Sequence, residues 1–350
     1  MKRSLNSAQL LLVLLPMLSL SNAYANTPAE MVDLSLQELY ALSVDDNNQD
    51  YGFQAGVLFK REVLDGYKSG TESLSYDDVL FQPPEPRTDK NYPVLPTVIE
   101  RQTLVINLSI GIDEKSSASI SLPYIEQNTD HLSIVPGYDE FNIASSGLGD
   151  IAINYQRLVH HNANQKISIA LGLSMPTGSI DEKGDTPRAE GDQQLPYTMQ
   201  LGSGTFDIPL GVNFSRSNEN YSAGVNLYAK FRFIENDRNY RLGNKFAATA
   251  WAKYEGWLTF EPTIKVTYIN WGEISGQDDE ITVPGNFPYP AGITDPSNYG
   301  GQQINLSANL LAYLGDQQAN IEVTLPVYHD LNGVQPKQKL GFSIQWHQQF

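Results

Sequence analysis

The 350-residue chain has no cysteine. It therefore has neither a disulfide framework nor a thiolate metal site to hold it together. Positive charge is scarce too: 23 Lys and Arg stand against 40 Asp and Glu, a net charge of −17, which argues against a nucleic-acid partner. Beyond the N-terminus, no stretch approaches the roughly 18 continuous apolar residues that a membrane-spanning helix needs. Any residence in a membrane must use strands. His is rare, with five in the chain, so a search for catalytic bases or metal ligands is short.

What is present begins with a secretory pattern over Met1 to Ala25. Lys2 and Arg3 precede the apolar run Leu10 to Leu18, and Ala23-Tyr24-Ala25 is a small-x-small cleavage box that makes Asn26 the expected mature start. Residues 26–50 read as a periplasmic segment. Ser35-Leu36-Gln37-Glu38 is a capping box, with Leu36, Leu39, Tyr40 and Ser43 at helical spacing, so a short helix is expected from Ser35 to Ser43, resting in the periplasm or folded into a barrel mouth. The polar run Asp45 to Asp50 follows as a linker, lacking the Gly and terminal Glu of a calcium loop.

From residue 51 to 350 the dominant signal is a period of two. Tyr221, Ala223, Val225, Leu227, Ala229, Phe231 and Phe233 alternate with Ser222, Gly224, Asn226, Tyr228, Lys230 and Arg232. Ile167, Ile169, Leu171 and Leu173 alternate likewise with Lys166, Ser168, Gly172 and Ser174. Such segments fall near 51–62, 98–112, 117–126, 148–160, 166–176, 205–216, 220–234, 244–255, 257–271, 302–314, 318–328 and 338–350. Short connections, such as 113–116, 161–165 and Gly315-Asp316, alternate with longer ones at 63–97, 127–147, 177–204 and 272–301. Short periplasmic turns and long outer loops in alternation predict an all-β, antiparallel, up-and-down transmembrane β-barrel of about twelve strands in the bacterial outer membrane. A soluble sandwich would also alternate, but its strands run to about 5–6 residues, and here aromatics such as Phe53, Tyr124, Tyr155, Tyr254, Phe260, Tyr268 and Trp346 gather near strand ends, where interface girdles belong. The last strand stops on Phe350, through which the barrel-assembly machinery is expected to engage it. The other expected partners are outer-membrane lipid, lipopolysaccharide and a small-molecule solute.

Gly147-Leu148-Gly149-Asp150, then Ala170 to Gly178 ending in Met175-Pro176-Thr177-Gly178, then Leu201-Gly202-Ser203-Gly204 before Phe206-Asp207, resemble a proteobacterial outer-membrane family named for the meta-pathway of phenol degradation, whose members are regarded as transporters. The resemblance spans Leu104 to Phe350, with its sharpest motifs in the middle third. It implies an outer-membrane barrel linked to uptake of small, often aromatic compounds, and it supplies no catalytic residue. Asp33 to Leu39 is also similar to the leader ahead of the plug in some TonB-dependent receptors, but the chain is too short for their 22 strands. Read locally, Gly147, Gly149, Gly202 and Gly204 sit where loops re-enter strands, and a sharp turn or bulge at the rim accounts for them better than ligand contact.

Strand parity places Lys60, Arg101, Lys166, Lys230, Arg232, Lys253, Lys265 and Lys339 inward, opposite Asp150, Asp207, Glu255, Glu261 and Glu322. Lys166, Lys230, Arg232, Lys253, Lys265, Glu255, Glu261 and Glu322 are the expected pore lining, either setting ion preference or pairing across strands. The outer loops are acidic, with Asp181, Glu182, Asp185, Glu190 and Asp192 in one and Glu273, Asp278, Asp279, Glu280 and Asp295 in another. They are expected to be solvated or to recruit divalent cations to lipid phosphates. The second loop, stiffened by Pro284, Pro288, Pro290 and Pro296 and carrying Phe287, Tyr289 and Tyr299, can fold inward as a constriction or a solute contact, or stay exposed and irregular. For chemistry, His131 and His329 are expected in outer loops and His160-His161 in a solvated turn; His329-Asp330 is the only pair placed for hydrolysis at the rim, and neighbours in an extended chain point apart. No cofactor and no metal is called for. The reading is a non-enzymatic, porin-like, monomeric channel or facilitator for small solutes, of aromatic or hydrophobic kind. The alternative is a closed structural or adhesive barrel, with a rim or lipid-facing hydrolase behind both.

Overall fold

A computed structural model describes residues 52–350. The secretory segment and the helix expected at Ser35 to Ser43 lie outside the described residues. The strands are β1 (Phe53–Gly70), β2 (Glu72–Leu74), β3 (Val94–Asp113), β4 (Ser116–Ser133), β5 (Glu140–Leu148), β6 (Ile151–His161), β7 (Gln165–Met175), β8 (Lys183–Asp185), β9 (Asp192–Gln194), β10 (Asp207–Ser217), β11 (Tyr221–Arg232), β12 (Tyr240–Arg241), β13 (Lys245–Tyr254), β14 (Phe260–Trp271), β15 (Ser275–Gly276), β16 (Gly301–Leu314) and β17 (Gln317–Gln349). One helical turn, α1 (Tyr76–Val79), sits after β2.

The large sheet runs β1-β3-β4-β6-β7-β10-β11-β13-β14-β16-β17 and closes through antiparallel pairing of β17 with β1. Eleven segments cannot alternate in direction around a closed ring. β17 resolves this. It is 33 residues long. Its first half pairs with β16 from Gln317 to Leu331, and its second half pairs with β1 from Leu331 to Gln349. The reversal falls at Asn332-Gly333, where Gly333 takes φ 58°, as a tight hairpin requires. Across that hairpin the Gln317 side chain donates to Gln348 Oε1 at 3.5 Å. The described residues thus cross twelve times in a closed antiparallel barrel, matching the count expected from the sequence. β5 continues the β6 crossing outward beyond a break at Gly149-Asp150, pairing with β4.

On the outer face of the lower barrel stand Leu104, Ile106, Ile153, Ile169, Leu171, Leu210, Val212, Leu227, Ile264, Val266, Leu306 and Val323, all exposed in the protein alone. The inner face there is polar and buried, with Asn107, Ser109, Ser121, Asn154, Ser168, Thr249, Thr267, Asn305 and Ser307. This inverted polarity is what lipid outside and a hydrated or hydrogen-bonded interior demand.

The outer ends depart from expectation. β1, β3 and β4 have 18, 20 and 18 residues, whereas about 9–11 suffice to cross a bilayer. They project outward, and their polarity turns over. Along upper β4 the exposed residues are Glu126, Asn128 and Asp130, while Ile125, Gln127, Thr129 and His131 are buried. The predicted loop 127–147 is therefore mostly strand, and the predicted loop 63–97 begins and ends in strand while keeping an irregular middle. His131 stands in β4, stacked on Phe141 with ring centroids 4.5 Å apart, and His329 is buried in β17. Neither is a loop residue, because a wall above the membrane shows water its outward side chains and loses the lipid-facing pattern that parity was read from.

Candidate solute path and its covered mouth

Of the eight expected lining residues, Lys166, Lys230, Arg232, Lys253, Lys265, Glu261 and Glu322 lie in strands on the inner-face parity, and Glu255 follows the end of β13. They do not form one cluster. Near the periplasmic end Lys253 Nζ lies 2.8 Å from both Glu255 and Glu261. Lys265 pairs with Glu322 across β14, β16 and β17, and Lys60 pairs with Glu62 at 2.6 Å. A cavity of about 120 Å³ opens among Lys60, Glu62, Lys245, Lys265, Glu322 and Gln338. Higher up, Arg232 Nε donates to Asp207 Oδ2 at 3.0 Å, both side chains almost fully buried. Lys339 departs from its expected inward position. A register shift in the β1–β17 pairing beside Leu64 leaves Lys339 outside the ladder, so the side chain turns outward, is 55% exposed and pairs with Asp65 at 2.6 Å.

Above these charges two outer loops fold into the barrel. In the first, between β7 and β10, Leu195 to Ser203 are all but wholly buried. Met199 is fully buried against β4 and β5: its carbonyl accepts from Ser145 Oγ at 2.6 Å, its sulfur from Thr129 Oγ1 at 3.1 Å, and the neighbouring Gln200 carbonyl from Gln127 Nε2 at 3.1 Å. In the second, Pro290 to Pro296 are buried, and Ala291 and Ile293 sit against Leu64, Val94 and Ile99 of the wall. The two loops meet at Tyr197, whose ring lies 4.8 Å from Tyr240 and 5.6 Å from Tyr299. Burial raises the pKa of all three phenols, keeping them neutral.

The motif residues now have a shared role. Asp150, in the break between β5 and β6, accepts from Gly178 N at 3.0 Å, Ser203 N at 2.8 Å and Ser203 Oγ at 2.7 Å. Asp207 accepts from Thr205 Oγ1 at 2.6 Å. Gly202 presses on Gly178, and a Cβ there would lie 2.4 Å from the Gly178 carbonyl. Gly204 alone of the four glycines singled out in the sequence needs its conformational freedom, with φ 70°. The motifs anchor the inward loop to the wall, so the rim-turn reading holds only for Gly204.

The acidic loops are not simply solvated. Arg238, in the loop after β11, reaches Asp181 at 2.7 Å, Asp278 at 3.3 Å and Glu280 at 3.3 Å, tying the first loop to the second. Burial opposes its charge and the three carboxylates outweigh that, so its pKa is raised. β12 also pairs with β15, joining the loop that carries Arg238 to the second loop through the backbone. Sequence reading missed Tyr197, Met199, Tyr240 and Arg238. The available signal was the apolar content of Leu195, Tyr197, Met199 and Leu201, excessive for a solvated loop.

Outside this cover, the loops before β3 and after β14 enclose a second cavity of about 470 Å³, lined in part by Arg87, Tyr92, Phe287 and Tyr289. Burial pushes the Tyr92 phenol up to about 12. Its hydroxyl accepts from Asn298 Nδ2 at 2.7 Å and donates to the Asp89 carbonyl at 2.8 Å. Of the two residues weighed for rim hydrolysis, His329 is buried in β17 and Asp330 accepts from Gln302 Nε2 at 3.0 Å.

Residues 97–289 match the family described as "Putative MetA-pathway of phenol degradation". A search of curated proteins finds no match. Among solved structures, the COG4313 outer membrane channel from Pseudomonas putida F1 is similar in fold with a TM-score of 0.56, at 12% identity over 88% of this chain and 100% of that one. The Ralstonia pickettii toluene transporter TbuX aligns with a TM-score of 0.41 at 10% identity, over 94% and 96% of the two chains.

Proposed function

Since the chain belongs to the outer-membrane family of the phenol-degradation pathway, we propose that it is a channel for small solutes whose outer opening is kept shut by the two inward loops. The observation that carries this is the change of filling along the axis. The lower lumen is lined by polar side chains around a cavity, while the upper lumen is filled by loop residues from other parts of the chain. A barrel built only for structure has no need of a polar cavity beneath such a filling.

The family's description supports aromatic compounds as the solute class, and the charged lumen calls for small molecules that keep some polarity. The bilayer, lipopolysaccharide and assembly machinery belong to the same reading, as does export by the N-terminal segment. The chain carries no enzymatic role in it.

One observation favours the closed structural barrel instead: Lys253 and Lys265 are already matched by Glu255, Glu261 and Glu322. Conductance separates the two. The full-length protein in a planar bilayer should give brief, small current steps, and deletion of residues 287–297 should lengthen them. Silence from both proteins at saturating insertion would rule out the channel.

A further inference from the structure

We propose that the 470 Å³ vestibule outside the covered mouth is a binding site for small organic cations, of the aryl-alkylammonium class. This deepens the channel reading by naming a solute class that the outer surface would gather, and it rests on that reading only for its place on the way in.

The cavity volume falls within the range of small-ligand sites. Its walls already stabilise one cation. The Arg87 guanidinium lies 4.9 Å from the centroid of the Tyr92 ring and 5.0 Å from that of Phe287, within cation–π range of both faces. That guanidinium is spent. It donates to the carbonyls of Thr88, Asn91 and Tyr289, the last at 2.9 Å, so it offers little to an incoming anion.

What remains around the cavity is negative. Asp89 and Glu273 stand exposed on its lining. Asp295 lies deeper, its carboxylate accepting from Ser297 N at 2.9 Å and Ser297 Oγ at 2.7 Å. Three carboxylates against one engaged guanidinium favour a positive ligand over a neutral one and reject a carboxylate. A metal ion does not fit that role, because among the described residues no group of three or more His, Cys, Asp and Glu stands close enough to hold one. An ammonium carried on an aromatic body matches the dispersed carboxylates and the rings of Phe287 and Tyr289 together.

The test is calorimetric titration of the full-length protein, folded in detergent, with 2-phenylethylammonium, 2-phenylethanol, 3-phenylpropionate and calcium chloride in turn. The ammonium should bind best, the alcohol more weakly and the carboxylate undetectably. Phe287→Ala should weaken the ammonium about twofold to fivefold, the worth of an exposed cation–π contact. Glu273→Gln should weaken it by a similar factor. Both residues are exposed, so a folded-barrel gel shift should be unchanged in each. Equal binding of the carboxylate, calcium heats in place of ammonium heats, or an ammonium affinity unmoved by both substitutions overturns the site. Ammonium binding that both substitutions weaken, in a protein that never conducts, would leave the site standing and remove the channel.

Discussion

Replacing Arg238 with alanine should loosen the two inward loops from each other, leaving the bonds from Arg188 to the Glu280 carbonyl and from Asp278 N to the Tyr197 hydroxyl. Its contacts with Asp181 and Glu280, whose side chains are 69% and 62% exposed, contribute a few tenths of a kcal/mol each and are screened by salt. Asp278 is different. Its side chain is 5% exposed, and without Arg238 it is a buried carboxylate whose remaining bond is the one it accepts from Glu280 N at 2.9 Å. Leaving such a charge with only the Arg188 guanidinium to oppose it costs about 2 kcal/mol. The sum, about 2–3 kcal/mol, falls on the closed arrangement, because in the open one Asp278 meets water. Every 1.4 kcal/mol is tenfold, so the open population should rise roughly thirtyfold or more. The assay is single-channel recording at 0.15 M and 1 M KCl, scored as open probability. Salt should remove only the smaller part of the effect. Adding Asp278→Asn to Arg238→Ala should restore much of the closure, since the buried charge is then gone. If Arg238→Ala leaves open probability unchanged at both salt concentrations, the loops are not what closes the path.

Three further outcomes follow from the same geometry. Arg232→Met should strip the partner from fully buried Asp207 and destabilise the barrel by about 3–5 kcal/mol, lowering the temperature at which it loses its folded gel mobility; adding Asp207→Leu should recover most of that loss. Gly202→Ala should force the first loop off Gly178, because its Cβ has no room against that carbonyl, and faster protease cleavage between residues 179 and 203 is the readout. Lys253→Gln should remove the cation that bonds Glu255 and Glu261 near the periplasmic end, shifting the reversal potential in a KCl gradient toward cation preference; an unshifted potential would mean that ions do not pass Lys253.

Within the membrane the sequence is nearly self-reading. Leu104 and Ile106 must meet lipid and Asn107 must not, so each crossing strand carries its own orientation, and the count of twelve follows from counting such segments. Above the membrane that argument ends. Water lies outside Glu126 and Asn128, and what lies inside Thr129 is Met199, from a loop 70 residues away. Parity there still alternates, but with the opposite sense, and no local window distinguishes an inverted strand from a loop. Lys339 shows the same limit in one residue: a single register shift moves a predicted lumen charge to the outer surface.

The sequence by itself determined that this chain closes into a barrel, because the lipid contact of a strand depends only on its own alternate side chains. It also marked Asp150, Gly178, Gly202 and Asp207 as special without saying for what. Only the tertiary structure decided that these residues fasten a loop, that Tyr197, Tyr240 and Tyr299 meet over the lumen, and that Arg238 joins two acidic loops. Those contacts bring together segments far apart in the chain, and each is energetically meaningful only once the wall has curved far enough to place them in reach.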